Sequence, residues 1–364
     1  MNTFIQNNPT FIAILLLQIK MDSLFGMIVG GHYELVEKIG SGHFGVIYRA
    51  IHIHKKDEVA VKLELIREGR NFSMLRNEYN LYKQFNQTED FVPKVFWFGS
   101  EKGYNILIME LLGSSLEDVF ISSSKNFSLD TVVSLAIKMI TLIQRLHAKS
   151  FLHRDVTPGN FLTGLNYNMN ELFLIDFGYS KKFWDSRVGK HRPNRSCKNM
   201  IGTPEYASFN AQKKQDLSRR DDLESVGYIL VYFMLGKLPW QDAKVDKPWH
   251  KREAVSKIMT STSITNLCKG LPKQFHLYLS YCRGLKFEEK PNYSYLRSLF
   301  QDLQRNTNNN CDKILNWHIQ SVVTDDTKGT EYEATARRLD EQSEDSQCDK
   351  ILVAINDLNL KEEK

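Results

Sequence analysis

The first third of the chain alternates short apolar runs with glycines and charged residues. Between residues 33 and 109, runs of Val, Ile, Leu, Tyr and Phe are broken every few positions, which is typical of β-strands joined by turns. One stretch differs, because Leu75, Tyr79 and Tyr82 recur at helical spacing and predict a helix over residues 73–85. This part of the chain is therefore expected to be strand-rich with one helix.

The middle of the chain has a helical pattern instead. Residues 129–147 carry apolar side chains on more than one stripe, which predicts a long buried helix, and Ser128 before them is a suitable N-cap. Residues 220–235 predict a second largely apolar helix that ends at Gly236, with Pro239 just beyond. Both helices are too apolar to lie on a surface, so they predict a helical core.

This change of pattern divides the chain into two lobes and two flanking segments. We expect an α+β, bilobal fold with a β-rich N-lobe over about residues 27–111, an α-rich C-lobe over about residues 113–318, and a cleft between them. Residues 1–26 form an N-terminal extension whose status the sequence leaves open. Residues 319–364 form an acidic tail, with twelve acidic residues against six basic ones, and are expected to be mostly disordered.

Composition narrows the function classes. The apolar run at residues 11–17 is too short to span a bilayer, and residues 1–10 lack the basic residues of a secretory signal. Five scattered cysteines without zinc-ligand spacing are typical of free thiols in a reducing compartment. We therefore expect a monomer in the cytoplasm and/or nucleus, with no firm membrane segment.

The net charge of +5 combines a basic body with the acidic tail. This asymmetry favours acidic or phosphorylated partners, or the tail itself as an internal partner, although ordinary surface charge explains it equally well. The basic residues are dispersed and no nucleic-acid-binding motif accompanies them, so no nucleic-acid partner is expected.

A glycine motif and a lysine supply the first candidate chemistry. The pattern G-x-G-x-x-G at residues 40–45 lies between two predicted strands, which favours a flap over ATP phosphates rather than a dinucleotide site, where a helix follows the glycines. Lys62 ends an apolar strand, and its ammonium needs anionic partners there. The expected partners are phosphates and Glu78 on the next helix; an exposed lysine at a strand end is the alternative.

Two further motifs predict phosphoryl transfer. The pattern H-R-D-x-x-x-x-N occupies residues 153–160, and D-F-G occupies residues 176–178. Asp155 is expected to orient a substrate hydroxyl and accept its proton, while Asn160 and Asp176 hold the metal ions that bridge the phosphates. ATP and Mg²⁺ are therefore the expected cofactors.

Several more segments carry a family resemblance. They are residues 109–118, 206–210, 218–228, 238–241 and 290–296. With these, the chain resembles the casein kinase I family of serine/threonine protein kinases over roughly residues 27–318. The resemblance implies a bilobal protein kinase fold and transfer of phosphate to protein serine or threonine. It also implies a preference for an acidic or already phosphorylated residue three positions before the target.

The resemblance assigns the nucleotide site. The implied ATP-binding residues are Ile39, Gly40, Ser41, Gly42, Gly45, Ile47, Ala60, Lys62, Met109, Glu110, Leu112 and Asp118. Among them, the backbone of residues 110–112 binds adenine, Met109 lies behind it, and Asp118 lies near the ribose. Asp222 is expected to support the catalytic loop.

The resemblance also implies a basic pocket for the substrate's anionic residue. Its candidates are Arg154, Lys182, Arg195 and Lys251, and Arg195 and Lys251 are the favoured pair. Arginine and lysine bind phosphate through charge-assisted hydrogen bonds. Each of the four could instead be a solvated surface charge.

The catalytic loop departs from the usual kinase pattern. Thr157 stands where most serine/threonine kinases have a lysine that touches the γ-phosphate, and Gly159 replaces an acid. Losing one such charge costs roughly 10–1000-fold in rate. The chain could then be a genuine kinase with compensation, or a catalytically weak pseudokinase scaffold. Retention of five residues favours the kinase: Lys62, Glu78, Asp155, Asn160 and Asp176. A small-molecule kinase would need a different C-lobe.

Two other features concern substrates. Pro204 and Glu205 stand where the family has Ala-Arg, which exchanges a positive charge for a negative one and is expected to loosen substrate preference. In the tail, hydroxyl residues stand three apart, so that phosphate on one would prime the next. These are Ser321, Thr324, Thr327 and Thr330, and then Asp340, Ser343 and Ser346. We expect the tail to be the enzyme's own substrate and a brake on it, although hydroxyl-rich acidic tails are common.

Overall fold

The computed structural model describes residues 24–42, 45–66, 73–195, 197, 199–243 and 250–306. The chain divides into two units, Met1–Leu315 and Asn316–Lys364, and every described residue belongs to the first. The apolar run at residues 11–17, the tip of the glycine turn at residues 43–44 and the acidic tail with its hydroxyl ladders lie outside the described residues.

Six strands form one antiparallel sheet at the N-terminal end. They are β1 (Ile28–Val29), β2 (Tyr33–Gly42), β3 (Gly45–His52), β4 (Glu58–Leu65), β5 (Val95–Glu101) and β6 (Tyr104–Glu110). Their order across the sheet is β1-β2-β3-β4-β6-β5. Fully buried side chains such as Leu35, Val61 and Ile106 form a core on this sheet. The two strands predicted on either side of the glycine motif are present as β2 and β3, which pair antiparallel up to Gly42 and Gly45.

One helix, α1 (Met74–Asn86), follows β4, as predicted for residues 73–85. It begins where the Ser73 side chain accepts the amide of Arg76, a local N-cap. Glu64 of β4 accepts the backbone N–H of Met74 at 3.0 Å, which ties the helix start to the sheet. The buried face of the helix carries Leu75, Glu78, Tyr82 and Phe85. Helical spacing therefore directs one carboxylate, that of Glu78, inward with three apolar anchors.

Helices dominate the C-terminal part. They are α2 (Leu116–Ser122), α3 (Leu129–Ala148), α4 (Phe209–Gln212), α5 (Arg219–Leu235), α6 (Lys251–Ser261), α7 (Ile264–Leu267), α8 (Lys273–Gly284) and α9 (Tyr293–Asn306). Ser128 caps α3 by accepting the amide of Thr131, as predicted. Gly236 ends α5 with φ +77°, a left-handed conformation that glycine adopts without strain. Helix α5 is buried on nearly all sides, as its largely apolar pattern predicted, and the buried residues also include the charged Asp221, Asp222 and Glu224.

Short strands lie between α3 and α4, and loops join these strands to one another. They are β7 (Phe151–Leu152), β8 (Phe161–Thr163), β9 (Leu172–Leu174), β10 (Lys181–Lys182), β11 (Trp184–Asp185) and β12 (Lys190–His191). Strand β7 pairs with β10, and β8 pairs with β9, both antiparallel. The loop between β7 and β8 and the loop between β9 and β10 are thereby fixed beside each other.

The α+β class is confirmed, with a strand-rich N-lobe and a helical C-lobe. Within the described ranges, no helix has both the length and the apolar character needed to cross a bilayer. The described cysteines, Cys197, Cys268 and Cys282, are free thiols.

Close packing of α5 against α8 generates a stability prediction. A Cβ added at Gly227 would lie 2.5 Å from Cδ2 of Leu279 and 3.0 Å from Cδ1 of Tyr278, and both side chains are 1% exposed. Glycine-to-alanine changes inside open helices stabilise by about 1 kcal/mol. Here overpacking wins, so Gly227→Ala is expected to lower the free energy of unfolding by about 1–3 kcal/mol in urea titrations.

Gly284 provides the matched control, since among the described residues no atom outside its chain neighbours and its own helix backbone lies within 4 Å of its would-be Cβ. Gly284→Ala is expected to leave the urea midpoint unchanged or to raise it. If Gly227→Ala proves as stable as the unchanged protein, the packing of α5 on α8 is looser than described.

Candidate active site

Lys62 is buried at the cleft between the lobes. Its Nζ lies 2.7 Å from Oε2 of Glu78 and 3.1 Å from Oδ1 of Asp176. Burial alone would lower the pKa of Lys62, but the charges of Asp176 and Glu78 outweigh it and hold that pKa above its usual value. The ammonium is therefore charged at neutral pH, and the sheet, α1 and the segment after β9 meet at it.

Tyr82 positions Asp176, a contact that the sequence analysis missed. The backbone N–H of Asp176 donates to the Tyr82 hydroxyl at 3.1 Å, and Asp176 has φ +63°, an uncommon left-handed conformation for a residue with a side chain. The next residue, Phe177, is 1% exposed and packs edge-on against Tyr82 and Phe85. These contacts keep the Asp176 carboxylate turned toward Lys62.

Asp222 on α5 supports the catalytic loop, as expected. Its carboxylate accepts the backbone N–H groups of His153 at 2.8 Å and Arg154 at 2.9 Å, and His147 Nε2 lies 2.9 Å away. Burial alone would raise the pKa of Asp222, but these donors outweigh it and hold the pKa below its usual value. A buried anion on the central helix thus fixes the loop that carries Asp155.

Asp155 is oriented by Thr203, a residue without an assigned role in the sequence analysis. Both the backbone N–H and the Oγ1–H of Thr203 donate to Oδ1 of Asp155, each at 2.8 Å. Gly202 makes this approach possible, because it has φ +92° and a Cβ there would lie 2.7 Å from the carbonyl oxygen of Arg154. Burial raises the pKa of Asp155, and the hydrogen bonds from Thr203 oppose that rise.

The oxygen atoms of Asn160 and Asp176 suit a hard divalent cation. Nδ2 of Asn160 donates to the carbonyl of Asp155 at 2.9 Å, which leaves its Oδ1 as a possible ligand. The Asp176 side chain is 23% exposed, so its carboxylate reaches the open cleft while one oxygen contacts Lys62. Carboxylate and amide oxygens are the donors that Mg²⁺ prefers. The residues present therefore fit the metal that the motifs imply.

The expected ATP-binding residues lie on strands β2, β3, β4 and β6 and on the segment and helix that follow β6. In the β2–β3 hairpin Gly40 pairs with Ile47, Gly42 pairs with Gly45, and Ile39 precedes Gly40 on β2. Ser41 belongs to the same hairpin, where it pairs with Val46. Because the glycines and Ser41 have small or no side chains, the backbone of this part of the hairpin is left accessible.

The segment that connects the N-lobe to the C-lobe, here called the hinge, follows β6. Met109 is buried and pairs with Ala60 across the sheet, and Glu110 is the last residue of β6 paired with β4. Leu112 follows outside the ladder. Asp118 lies in the first turn of α2, where its carboxylate accepts the Ser115 hydroxyl at 2.6 Å in a capping box. Asp118 therefore has a structural role in addition to the ribose contact implied by the resemblance.

A cavity of about 770 Å³ opens beside the catalytic loop. Its lining includes Thr157 and Gly159 from the loop, and Thr203, which contacts Asp155. No lysine stands at position 157, yet Lys251 lines the same cavity from α6. The cavity is connected to Asp155 through Thr203, which lines it and donates to the Asp155 carboxylate.

The four candidate anion-binding residues have different environments. Nε of Arg154 donates to the carbonyl of Tyr179 at 2.6 Å, and burial lowers the pKa of Arg154. Lys182 and Arg195 are exposed. Lys251 has an acidic partner that the sequence analysis did not identify, since its Nζ lies 2.9 Å from Oε1 of Glu205.

The geometry is that of a phosphotransferase cleft, with a glycine hairpin, a paired lysine and a braced catalytic aspartate. A family model, described as protein kinase domain, matches residues 33–320. This match covers well over half of the chain. The chain belongs to the protein kinase family, whose members transfer phosphoryl groups to proteins.

Thr203 generates a pH prediction. Its hydroxyl stabilises the ionised form of Asp155, so Thr203→Val should raise the Asp155 pKa further and leave less of the base ionised at a given pH. The acid limb of the kcat/KM profile is expected to move to higher pH by about 0.5–1 unit. Thr203→Ser keeps the hydroxyl and should retain the original profile. Superimposable profiles for the Val variant and the unchanged protein would refute this role.

Proposed function

We propose that the chain is a serine/threonine protein kinase of the casein kinase I type that uses ATP and Mg²⁺. The observation that carries the proposal is the buried cluster in which Lys62 contacts both Glu78 and Asp176. A scaffold without chemistry has no need to keep a costly buried ammonium directed into a cleft. The motifs that resemble casein kinase I support the serine/threonine specificity.

In the proposed reaction, Asp155 accepts a hydrogen bond from the substrate hydroxyl and takes its proton as the oxygen–phosphorus bond forms. The bond between the β–γ bridging oxygen and the γ-phosphorus breaks, and ADP leaves with that oxygen. Lys62 binds the α- and β-phosphates. When bound, Mg²⁺ supplies neutralising charge, and Asn160 and Asp176 would hold it.

The alternative is a pseudokinase that binds nucleotide or partners without efficient transfer. Thr157 favours it, because the missing ammonium removes charge stabilisation from the γ-phosphate. The loop carrying Thr157 is nevertheless braced by Asp222 and ordered by Asn160. A catalytic loop that keeps its positioning contacts and lacks one charge is better explained by a slow kinase than by a pseudokinase.

The substrate preference is proposed from the resemblance alone. It is a target serine or threonine with an acidic or phosphorylated residue three positions before it. The tail hypothesis rests on spacing at residues 321–346, outside the described residues, and remains a prediction. Phosphosite mapping after incubation with ATP alone, with a form ending at residue 320 for comparison, tests it.

Asp176→Asn tests the proposed chemistry. The change preserves shape and removes the carboxylate that faces the metal, so phosphate transfer to an acidic protein substrate should fall by roughly 100-fold or more. Thermal unfolding should show a folded protein, because Glu78 still neutralises Lys62 at 2.7 Å. Radiolabelled γ-phosphate transfer with and without a divalent-metal chelator is the measurement.

Asp185→Asn is the matched control, since Asp185 is a surface carboxylate paired with Arg187. It should transfer phosphate at the original rate. Equal transfer by the Asp176 variant, or undiminished transfer after chelation, would show that the assignment is wrong.

A further inference from the structure

The cavity beside the catalytic loop has a balanced charge. Three lysines line it, Lys125, Lys237 and Lys251, together with three acids, Glu117, Glu205 and Asp242. Lys237 pairs with Asp242 and Lys251 pairs with Glu205, while the Tyr232 hydroxyl donates to Glu117 at 2.8 Å. A surface built only to attract an acidic peptide would carry an excess of cations, and this one does not.

The Lys251–Glu205 pair is part of the lining of this cavity. The Lys251 side chain is 51% exposed and that of Glu205 is 19% exposed, with Nζ and Oε1 2.9 Å apart. Lys251 is also the first residue of α6, where the positive end of the helix dipole adds to its own charge. The position thus favours an anion, and in this chain the anion is the carboxylate of Glu205.

The backbone around Glu205 is held by hydrogen bonds, and its side chain is partly exposed. Nε1 of the buried Trp240 donates to the carbonyl of Glu205 at 2.7 Å. Nε2 of Gln212 donates to the carbonyl of Pro204, also at 2.7 Å. Release of Lys251 therefore needs only rotation of the Glu205 side chain, with no movement of the main chain beside Thr203 and Asp155.

We propose that Glu205 is a built-in competitor that sets substrate specificity by occupying the cation to which an anionic substrate residue would bind. A substrate phosphate carries about −1.5 to −2 charges and a carboxylate one, so phosphate displaces Glu205 more readily than Asp or Glu does. A partly exposed ion pair is weak enough to be displaced in this way. The inference rests on the proposed protein kinase activity and concerns the same cleft.

Competition has a definite consequence for selectivity. The free energy of breaking the Lys251–Glu205 contact is subtracted from the gain on binding a phosphorylated residue, and nothing is subtracted for a neutral one. Glu205 therefore narrows the difference in kcat/KM between substrates with a phosphorylated upstream residue and substrates without one. Removing its charge should widen that difference in favour of the phosphorylated substrate.

The experiment measures kcat/KM for matched peptides that carry Ser, Asp or phosphoserine at one position, placed from one to five residues before the target. Glu205→Gln preserves the side-chain size and removes the competing charge. At the position where phosphoserine has the largest effect, the kcat/KM of the phosphoserine peptide divided by that of the serine peptide should be about tenfold higher in Glu205→Gln than in the unchanged protein. In Glu205→Gln combined with Lys251→Gln the rise should disappear, because the cation is gone.

Asp242→Asn is the matched control, since it removes a carboxylate of the same cavity that pairs with a different lysine, Lys237. In this variant the kcat/KM ratio of the phosphoserine peptide over the serine peptide should stay near that of the unchanged protein. A ratio unchanged in Glu205→Gln, or raised equally by Asp242→Asn, would overturn the proposal, since the effect would then be absent or due to overall charge.

A binding measurement separates this inference from the proposed function. Calorimetric titration with a phosphoserine peptide whose target serine is replaced by alanine requires no catalysis. Tighter binding to Glu205→Gln than to the unchanged protein, weakening with salt, supports competition at Lys251. Equal binding refutes it. Absence of transfer to any protein substrate would refute the proposed function alone, and the titration would still decide the role of Glu205.

Discussion

Lys62 is 4% exposed, and the rest of the cleft is arranged around the need to neutralise its ammonium. An uncompensated charge at that depth costs several kcal/mol, so carboxylates must come close. They come from Glu78, 16 residues along the chain, and Asp176, 114 residues along. Helix α1 must therefore lie on the sheet with its acid inward, and the segment after β9 must enter the cleft. One ion cluster thereby joins the two lobes.

Features with local signals were predictable from sequence. Ser128 begins a helix and Gly236 ends one because capping depends on neighbouring residues alone. The pairing of Lys62 with Glu78 was predictable because its motifs occur in a known order, whereas the contact of Lys62 with Asp176 was not expected. The hydrogen bonds from Thr203 to Asp155 and from Asp176 to Tyr82 were not, since partners 48 and 94 residues apart leave no periodic trace.

For substrate recognition, too, the local feature was predictable from the sequence and its distant partner was not. The exchange of charge at Glu205 was visible in the sequence, and looser substrate preference was expected from it. Its partner was not visible, because Lys251 lies on a separate helix and belonged to the predicted anion pocket as an unpaired cation. The structure pairs the two at 2.9 Å. Predicting a basic pocket from sequence requires knowing which acids already occupy it.

In the catalytic loop, positioning and charge come from different residues. Asp222, Thr203 and Asn160 position the catalytic loop, whereas Thr157 leaves it without the ammonium that would face the γ-phosphate. The direct test is the rate of γ-phosphate transfer by the purified chain beside Thr157→Lys, on one acidic protein substrate with Mg²⁺. We expect measurable transfer by the unchanged chain and a rate roughly tenfold higher in the lysine variant. No transfer by either form, with nucleotide still bound, would contradict this expectation and identify a scaffold.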